Sequence, residues 1–130
     1  MGNKSIPENI KASRFYLNEI VANKIKEDPD KKKYNIAQEV NYEILKNQKD
    51  NLTIKVTTET FVDPNELFHI KLEHIADFML KKEMSDKDVE ENIKELLSPL
   101  GAEVSYIVAS ITRKMIGVHL ILPPHLKIEK

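Results

Sequence analysis

The stretch from residue 98 to residue 116 constrains the fold more than any other part of the chain. Although 32% of all residues are charged, this stretch has only three charged side chains, Glu103, Arg113 and Lys114. Ser98 is a favourable N-cap, Pro99 suits the first helical turn and Gly117 is a typical helix stop. We therefore predict one long helix between Ser98 and Gly117.

Two faces of this predicted helix carry different kinds of side chain. Apolar residues at helical spacing indicate a face that packs on the core: Val104, Ile107, Val108, Ile111 and Met115. A second line holds small residues, which let another backbone approach closely: Gly101, Ala102, Ser105, Ala109 and Thr112. We name this line the small-residue stripe. Because a chain of 130 residues has little left to cover it, we predict an oligomer interface there.

Length and composition predict a single domain over residues 1–130, with flexible ends at 1–9 and 125–130. The net charge of −1 argues against a nucleic-acid-binding protein, which would show a strong basic excess. The absence of cysteine excludes disulfides and thiolate zinc sites. No stretch approaches the roughly 20 apolar residues of a membrane span, and the amino terminus has no apolar signal core. We expect a cytoplasmic protein that does not insert into membranes.

Four segments before the long helix alternate apolar and polar residues with the period of a half-buried strand. The first covers about residues 12 to 25 and is predicted to place Phe15, Leu17, Val21 and Ile25 on one face. The other three lie around residues 34–44, 52–59 and 68–80. The connections predicted at 47–51 and 63–65 are short and polar, which favours an antiparallel sheet with one face open to water.

A shorter helix is predicted between the last strand and the long helix. Ser85 and Asp88 resemble a capping box at its start, and Val89, Ile93, Leu96 and Leu97 share one side of it. The predicted fold class is therefore α+β, with a four-stranded antiparallel sheet followed by two helices packed on one face.

The sequence offers little for catalysis. His69 and His74 are five residues apart on a strand, so they point to opposite faces and cannot share a metal ion. The strand carboxylates Glu39, Glu43, Glu59, Glu73 and Asp77 are expected on a flat, exposed sheet face, which has no cleft to shift a pKa. Only three glycines are present, so no phosphate-binding loop is expected. We predict no catalytic residue, no metal site and no cofactor.

Three short motifs and the order of elements resemble the SecB-like protein-export chaperones, a family of tetrameric proteins that hold unfolded polypeptides. Residues 68–78 resemble the family's last strand, which ends in an aromatic residue, although the usual glycine before that residue is absent. Leu97-Ser-Pro99 resembles the step that opens the family's long helix. The residues from Leu120 to Pro124 match the Leu-Pro-Pro ending that follows that helix.

The resemblance implies a four-stranded antiparallel sheet, paired subunits, and long helices that meet between two dimers. The last feature agrees with the interface predicted from the small-residue stripe. In the family, an apolar groove for polypeptides lies between the sheet, the loop joining the first two strands and a C-terminal helix. The positions that the resemblance assigns to this groove follow that loop: Tyr34, Ile36, Val40 and Tyr42.

Two departures from the family pattern bear on function. The acidic position at which the family docks on the translocation motor aligns with Lys71, which leaves motor docking open. The chain stops six residues after Pro124, so the family's mobile C-terminal helix is not expected. Some shorter relatives instead protect an antitoxin in a toxin–antitoxin system.

Three hypotheses follow. The first is an ATP-independent, SecB-like holdase for unfolded polypeptides, acting in protein export without any catalytic residue. The second is a dedicated chaperone for one client, such as an antitoxin. The third is a structural oligomer that has no client, in which interfaces between subunits bury every apolar patch. The identity of the client and the choice between dimer and tetramer stay open at this stage.

Overall fold

The computed structural model describes residues 6–24, 35–63, 68–117 and 120–123, together with Leu126 and Ile128. A short helix, α1 (Ile6–Asn9), precedes four strands: β1 (Ile10–Lys24), β2 (Asn35–Gln48), β3 (Asn51–Asp63) and β4 (Phe68–Leu80). Three helices follow, α2 (Asp86–Glu91), α3 (Ile93–Leu96) and α4 (Pro99–Ile116). The predicted α+β order of strands and then helices is confirmed. Tyr34 and most of the turn predicted at 63–65 lie outside the described residues.

The four strands form one antiparallel sheet in the order β1-β4-β3-β2, so β1 and β2 are its edges. A two-residue turn at Lys49 and Asp50 joins β2 to β3, within the turn predicted at 47–51. Lys49 has a φ of 51°, which is a left-handed backbone conformation. Tight hairpin turns require this conformation, although it costs a residue other than glycine some conformational free energy.

One face of the sheet packs against the helices, and we call it the inner face. Alternate residues of the two central strands point into it and are buried: Leu52, Ile54, Val56, Thr58, Thr60, Phe68, Ile70, Leu72, His74, Ala76, Phe78 and Leu80. The strand register places Glu39, Glu43, Glu59, Glu73 and Asp77 on the opposite, outer face, as the alternation predicts.

A β-bulge changes which side chains of β1 share a face. The register shifts between Leu17 and Glu19, which leaves Asn18 as an extra residue. Leu17 pairs with His74 and Ile20 pairs with Leu72, so both lie on the inner face. Val21 pairs with Lys71 on the outer face. The prediction that Leu17 and Val21 share a face is wrong, because an extra residue inverts the alternation beyond it.

The core consists of two clusters along the inner face. In the first, residues of β3 and β4 pack against α2, α3 and the start of α4 through Val89, Ile93, Leu96, Leu97 and Leu100. In the second, the start of β4 packs against Val104 and Val108 of α4, with Ile107, Ile111 and Met115 alongside. The core-facing stripe predicted for the long helix is therefore confirmed.

Both ends of the described chain are attached to the core or the sheet. The side chain of Asn9 exchanges two hydrogen bonds with the backbone of Lys82. Leu126 packs against both clusters, and Ile128 is a buried member of the first. The side chains of these residues have partners that no local pattern indicates, and the flexible ends predicted from the sequence stay a prediction.

The helix ends follow the capping signals with one exception. Ser85 Oγ accepts a hydrogen bond from the Asp88 N–H at 3.1 Å, as predicted. Gly117 has a φ of 78° and ends α4, also as predicted. Ser98 is not an N-cap of the expected kind: its backbone is helical and its side chain makes no capping bond, because the turn after α3 leads directly into α4. Among the described residues no helix is both long and apolar enough to cross a membrane.

Candidate functional site

The inner face of edge strand β2 carries a row of apolar side chains that are only half-buried. We name the β2 row after its members, Ile36, Val40, Tyr42 and Ile44. Ile36 packs against the second core cluster, and the other three pack against the first. The row therefore includes three of the four groove positions implied by the resemblance, on one face of one strand. No described strand pairs with the free edge of β2.

Tyr42 lies where the β2 row meets α2. Burial, followed by the nearby carboxylate of Glu90, raises the pKa of the Tyr42 hydroxyl above its ordinary value. Both effects disfavour the phenolate, so the side chain stays neutral where it packs. The α2 helix thus borders the row at this end.

A segment from the C-terminal part of the chain lies along α4. Ser105 Oγ donates a hydrogen bond to the carbonyl of Leu122 at 2.8 Å. Thr112 Oγ1 accepts a hydrogen bond from the Leu120 N–H at 3.0 Å and donates to the carbonyl of Val108. The segment runs opposite to the helix, and Leu120 and Leu122 pack against the second core cluster.

This segment changes how the small-residue stripe is covered. Gly101 and Thr112 are buried, Ser105 and Ala109 are half-buried, and Ala102 is exposed. Part of the cover comes from the chain itself, which the sequence reasoning missed. The sequence feature that could have predicted this cover is the spacing of the apolar residues after Gly117, which are Leu120, Leu122, Leu126 and Ile128. The interface between copies of the chain stays a prediction. Two large side chains beside the stripe are exposed to solvent, Tyr106 at 73% and Ile121 at 80%.

The other edge strand, β1, exposes large apolar side chains on both of its faces. Leu17 and Ile20, on the inner face, are 36% and 44% exposed, and Tyr16 and Val21, on the outer face, are 39% and 40% exposed. We call these four residues the β1 apolar edge. A long, uncovered apolar edge favours pairing with another chain.

A buried histidine connects β4 to α4 beside this edge. The His74 side chain is fully buried, and its Nε2 lies 2.9 Å from Glu103 Oε2. Its Nδ1 is buried without a hydrogen-bond partner. His69 lies on the outer face beside Glu59, so the two histidines point to opposite faces, as predicted. Among the described residues no three histidine or carboxylate side chains are placed to hold a metal ion.

An open hollow of about 370 Å³ lies near one end of the sheet, with Ala12, Lys46 and Met79 in its lining. Its carboxylate, Asp77, already accepts hydrogen bonds from Arg14 and from Thr53, each at 2.8 Å. Burial pushes the pKa of Asp77 upward, but these hydrogen bonds and the charge of Arg14 outweigh it and hold the pKa below its ordinary value. The carboxylate in the lining of the hollow is thus already paired with Arg14 of the same chain.

The depressed pKa of Asp77 predicts how stability depends on pH. The contribution of the Asp77 carboxylate to the free energy of unfolding is fully present at pH values above its ordinary pKa of 3.8. It is lost as the pH falls through the lower pKa of the folded state. We expect the stability advantage of the unchanged chain over Asp77→Asn to shrink in that acidic window and to be constant near neutrality. Urea unfolding of both proteins at a series of pH values measures it. A constant difference between the two proteins across the acidic range would contradict the assignment.

No family model matches the sequence, and no curated protein matches it by sequence. Among solved structures, the SecB-like chaperone Rv1957 of Mycobacterium tuberculosis, in complex with a ChAD peptide from the HigA1 antitoxin, superposes with a TM-score of 0.77. The match covers 91% of this chain and 92% of that chain at 9% sequence identity. The fold is SecB-like.

A second solved structure, a protein of unknown function from Streptococcus agalactiae, matches over 86% of this chain and 95% of that chain. Its TM-score is 0.48 at 16% identity. The superposition on the SecB-like chaperone from Mycobacterium tuberculosis confirms the predicted SecB-like fold at 9% sequence identity.

Proposed function

We propose that this protein is a nucleotide-independent holdase that binds extended, unfolded polypeptides along the inner side of edge strand β2. The observation that carries the proposal is the β2 row, where half-buried apolar side chains lie at a strand edge with which no strand of the described residues pairs. An extended client can add backbone hydrogen bonds at such an edge and place alternate side chains among the apolar residues. No step of this function needs a catalytic residue or a cofactor.

The energetics of the row suit weak and adaptable binding. Completing the burial of a half-buried apolar side chain contributes on the order of 1 kcal/mol. Each backbone hydrogen bond adds about 0.5–1.5 kcal/mol. Useful affinity therefore requires several contacts at once, none of which demands a particular client sequence. Precursors on their way to export and aggregation-prone chains are both suitable clients for such a surface.

The proposal includes assembly of the chain with itself. The β1 apolar edge is too large to remain in water on a protein that prevents aggregation, and pairing with the same edge of a second copy would cover it. Ala102, Tyr106, Ala109 and Ile121 offer a further surface on and beside α4. We propose that it carries the interface predicted from the small-residue stripe, which would join two dimers.

A second candidate function is favoured by one finding. The structural neighbour from Mycobacterium tuberculosis was solved with a peptide from an antitoxin. A chaperone dedicated to one such client would use the same β2 row but bind a single peptide selectively. It would give little general suppression of aggregation, and this difference separates the two functions.

Light scattering by a reduced, unfolded test protein measures the proposed activity. We expect a near-stoichiometric amount of this protein to suppress the scattering without nucleotide. The double variant Ile36→Ser with Val40→Ser should need several-fold more protein for the same suppression, since it removes apolar contacts from the β2 row. Leu45→Ser is the matched control, because Leu45 lies on the same strand, is 49% exposed and belongs to neither core cluster.

Circular dichroism establishes that each variant keeps its fold before the assay. Absence of suppression by the unchanged chain at several-fold excess would sink the holdase function. Tight binding of one peptide without general suppression would select the dedicated chaperone. Equal losses in the double variant and in Leu45→Ser would remove the β2 row from the proposal.

A further inference from the structure

One polar side chain interrupts the apolar β2 row. Gln38 lies between Ile36 and Val40 on the strand, and it pairs with Thr60 of β3. Because Thr60 is buried on the inner face and paired residues share a face, Gln38 also lies on the inner face. Its side chain is half-buried, like those of its apolar neighbours in the row. A client that pairs with the free edge of β2 would therefore face Gln38 as well as the β2 row.

The amide of Gln38 is only weakly engaged by its own chain. Its Nε2 donates to Thr60 Oγ1 over 3.5 Å, which is longer than an ordinary hydrogen bond. A side-chain amide has two donors and two acceptor lone pairs, so this contact uses little of its capacity. Two residues along β3 on the same face, Thr58 Oγ1 is buried without a hydrogen-bond partner among the described residues. The polar groups at this level of the sheet are thus incompletely paired.

The ladder between β2 and β3 indicates how much of the edge an extended client can use. The register is continuous from Asn35 to Ile44 and shifts between Ile44 and Lys46, with Leu45 as the extra residue of a β-bulge. Because a bulge bends the strand and disrupts its ladder, we expect pairing with a client to end there. A client strand on the regular stretch places alternate side chains opposite the β2 row, and one of them faces Gln38.

We propose that Gln38 is a specificity-determining residue of the client site, and that it favours extended segments with one uncharged polar side chain among apolar ones. This inference rests on the proposed function. A serine, threonine, asparagine or glutamine of the client that faces Gln38 can hydrogen-bond its amide as the client covers it. An apolar residue there leaves the amide covered without a partner, which lowers the affinity about tenfold. A polar group inside an otherwise apolar contact also fixes the register in which two chains meet.

A set of fluorescein-labelled peptides tests the inference by fluorescence anisotropy. The parent peptide has nine residues, with valine at its odd positions and lysine or threonine between them, and each derivative replaces one valine by glutamine. We expect one derivative to bind the unchanged chain several-fold more tightly than the parent, because only its glutamine faces Gln38. That glutamine is at the third position if the peptide runs parallel to β2 and at the seventh if it runs antiparallel. The other derivatives should bind more weakly than the parent, since they lose apolar burial.

Gln38→Leu gives the reciprocal test on the protein. Leucine is similar in size and has no polar side-chain atom, so this variant should bind the parent peptide about tenfold more tightly than the unchanged chain does. It should no longer prefer glutamine at any position of the peptide. Gln48→Leu is the matched control, because Gln48 is exposed on the same strand beyond the bulge. Circular dichroism establishes that both variants keep their fold.

Labelled lysozyme, kept unfolded by reduction and carboxymethylation, separates this inference from the proposed function. If the unchanged chain binds neither the lysozyme nor any peptide, the proposed function fails. If it binds the lysozyme but no peptide, or binds the parent more tightly than every derivative, the role of Gln38 is overturned and the holdase function stands. A preference for glutamine that survives Gln38→Leu, or that Gln48→Leu removes equally, also overturns the inference. The peptide series on the unchanged chain remains a test if Gln38→Leu does not fold.

Discussion

The double variant Leu17→Lys with Ile20→Lys is expected to remain a single folded chain in solution, whereas the unchanged chain is expected to assemble. Both side chains lie on the inner face of β1 and are 36% and 44% exposed, so we expect the protomer to tolerate longer polar side chains there. In a symmetric pair each lysine occurs twice, which would place four like charges in a dehydrated contact.

Light scattering after size-exclusion chromatography measures the mass of each variant. The double variant Leu45→Lys with Met79→Lys is the control, because these residues are 49% and 45% exposed and lie outside the β1 apolar edge. We expect the control to keep the mass of the unchanged chain. A Leu17→Lys and Ile20→Lys variant with the full assembled mass would show that β1 is not the contact.

Glu103→Ala is expected to destabilise the protein by about 1–3 kcal/mol, because it leaves a buried polar group without its partner. His74 is fully buried, its Nδ1 already lacks a hydrogen bond, and its Nε2 depends on Glu103. His74→Leu, by contrast, is expected to be neutral or stabilising, since an apolar side chain of similar volume needs no hydrogen bond at that place.

Urea unfolding at neutral pH measures both effects. Glu95→Ala is the control for the loss of a glutamate, because Glu95 is exposed on α3. The double variant His74→Leu with Glu103→Ala should recover most of the stability that Glu103→Ala loses, since the histidine that requires the carboxylate is gone. A larger loss of unfolding free energy in His74→Leu than in Glu103→Ala would show that the histidine stabilises the fold by more than its hydrogen bond to Glu103.

Local patterns were sufficient for most of the secondary structure. The alternation around Leu52, Ile54 and Val56 predicted a strand whose apolar side is buried, because side chains of a strand alternate between two faces. The signals at Pro99 and Gly117 predicted both ends of α4. These features depend on neighbours within a few residues, which is the range over which sequence patterns carry information.

The candidate site was predicted only in part. Three groove positions implied by the resemblance lie in the β2 row, and the fourth, Tyr34, lies outside the described residues. The bulge at Asn18 has no local signal, although it decides which apolar side chains of β1 share a face. The cover of Ser105 and Thr112 by the chain itself was missed because it depends on where a later segment packs.

The sequence by itself determined the number of strands, the alternation of the two central strands and the extent of the long helix, since backbone geometry and solvent act on each segment locally. Only the tertiary structure decided the strand order, the exposure of β1, the pairing of His74 with Glu103 across 29 positions and the burial of Ile128 in the first core cluster. Those contacts join residues far apart in the chain, and their free energy depends on how whole elements pack.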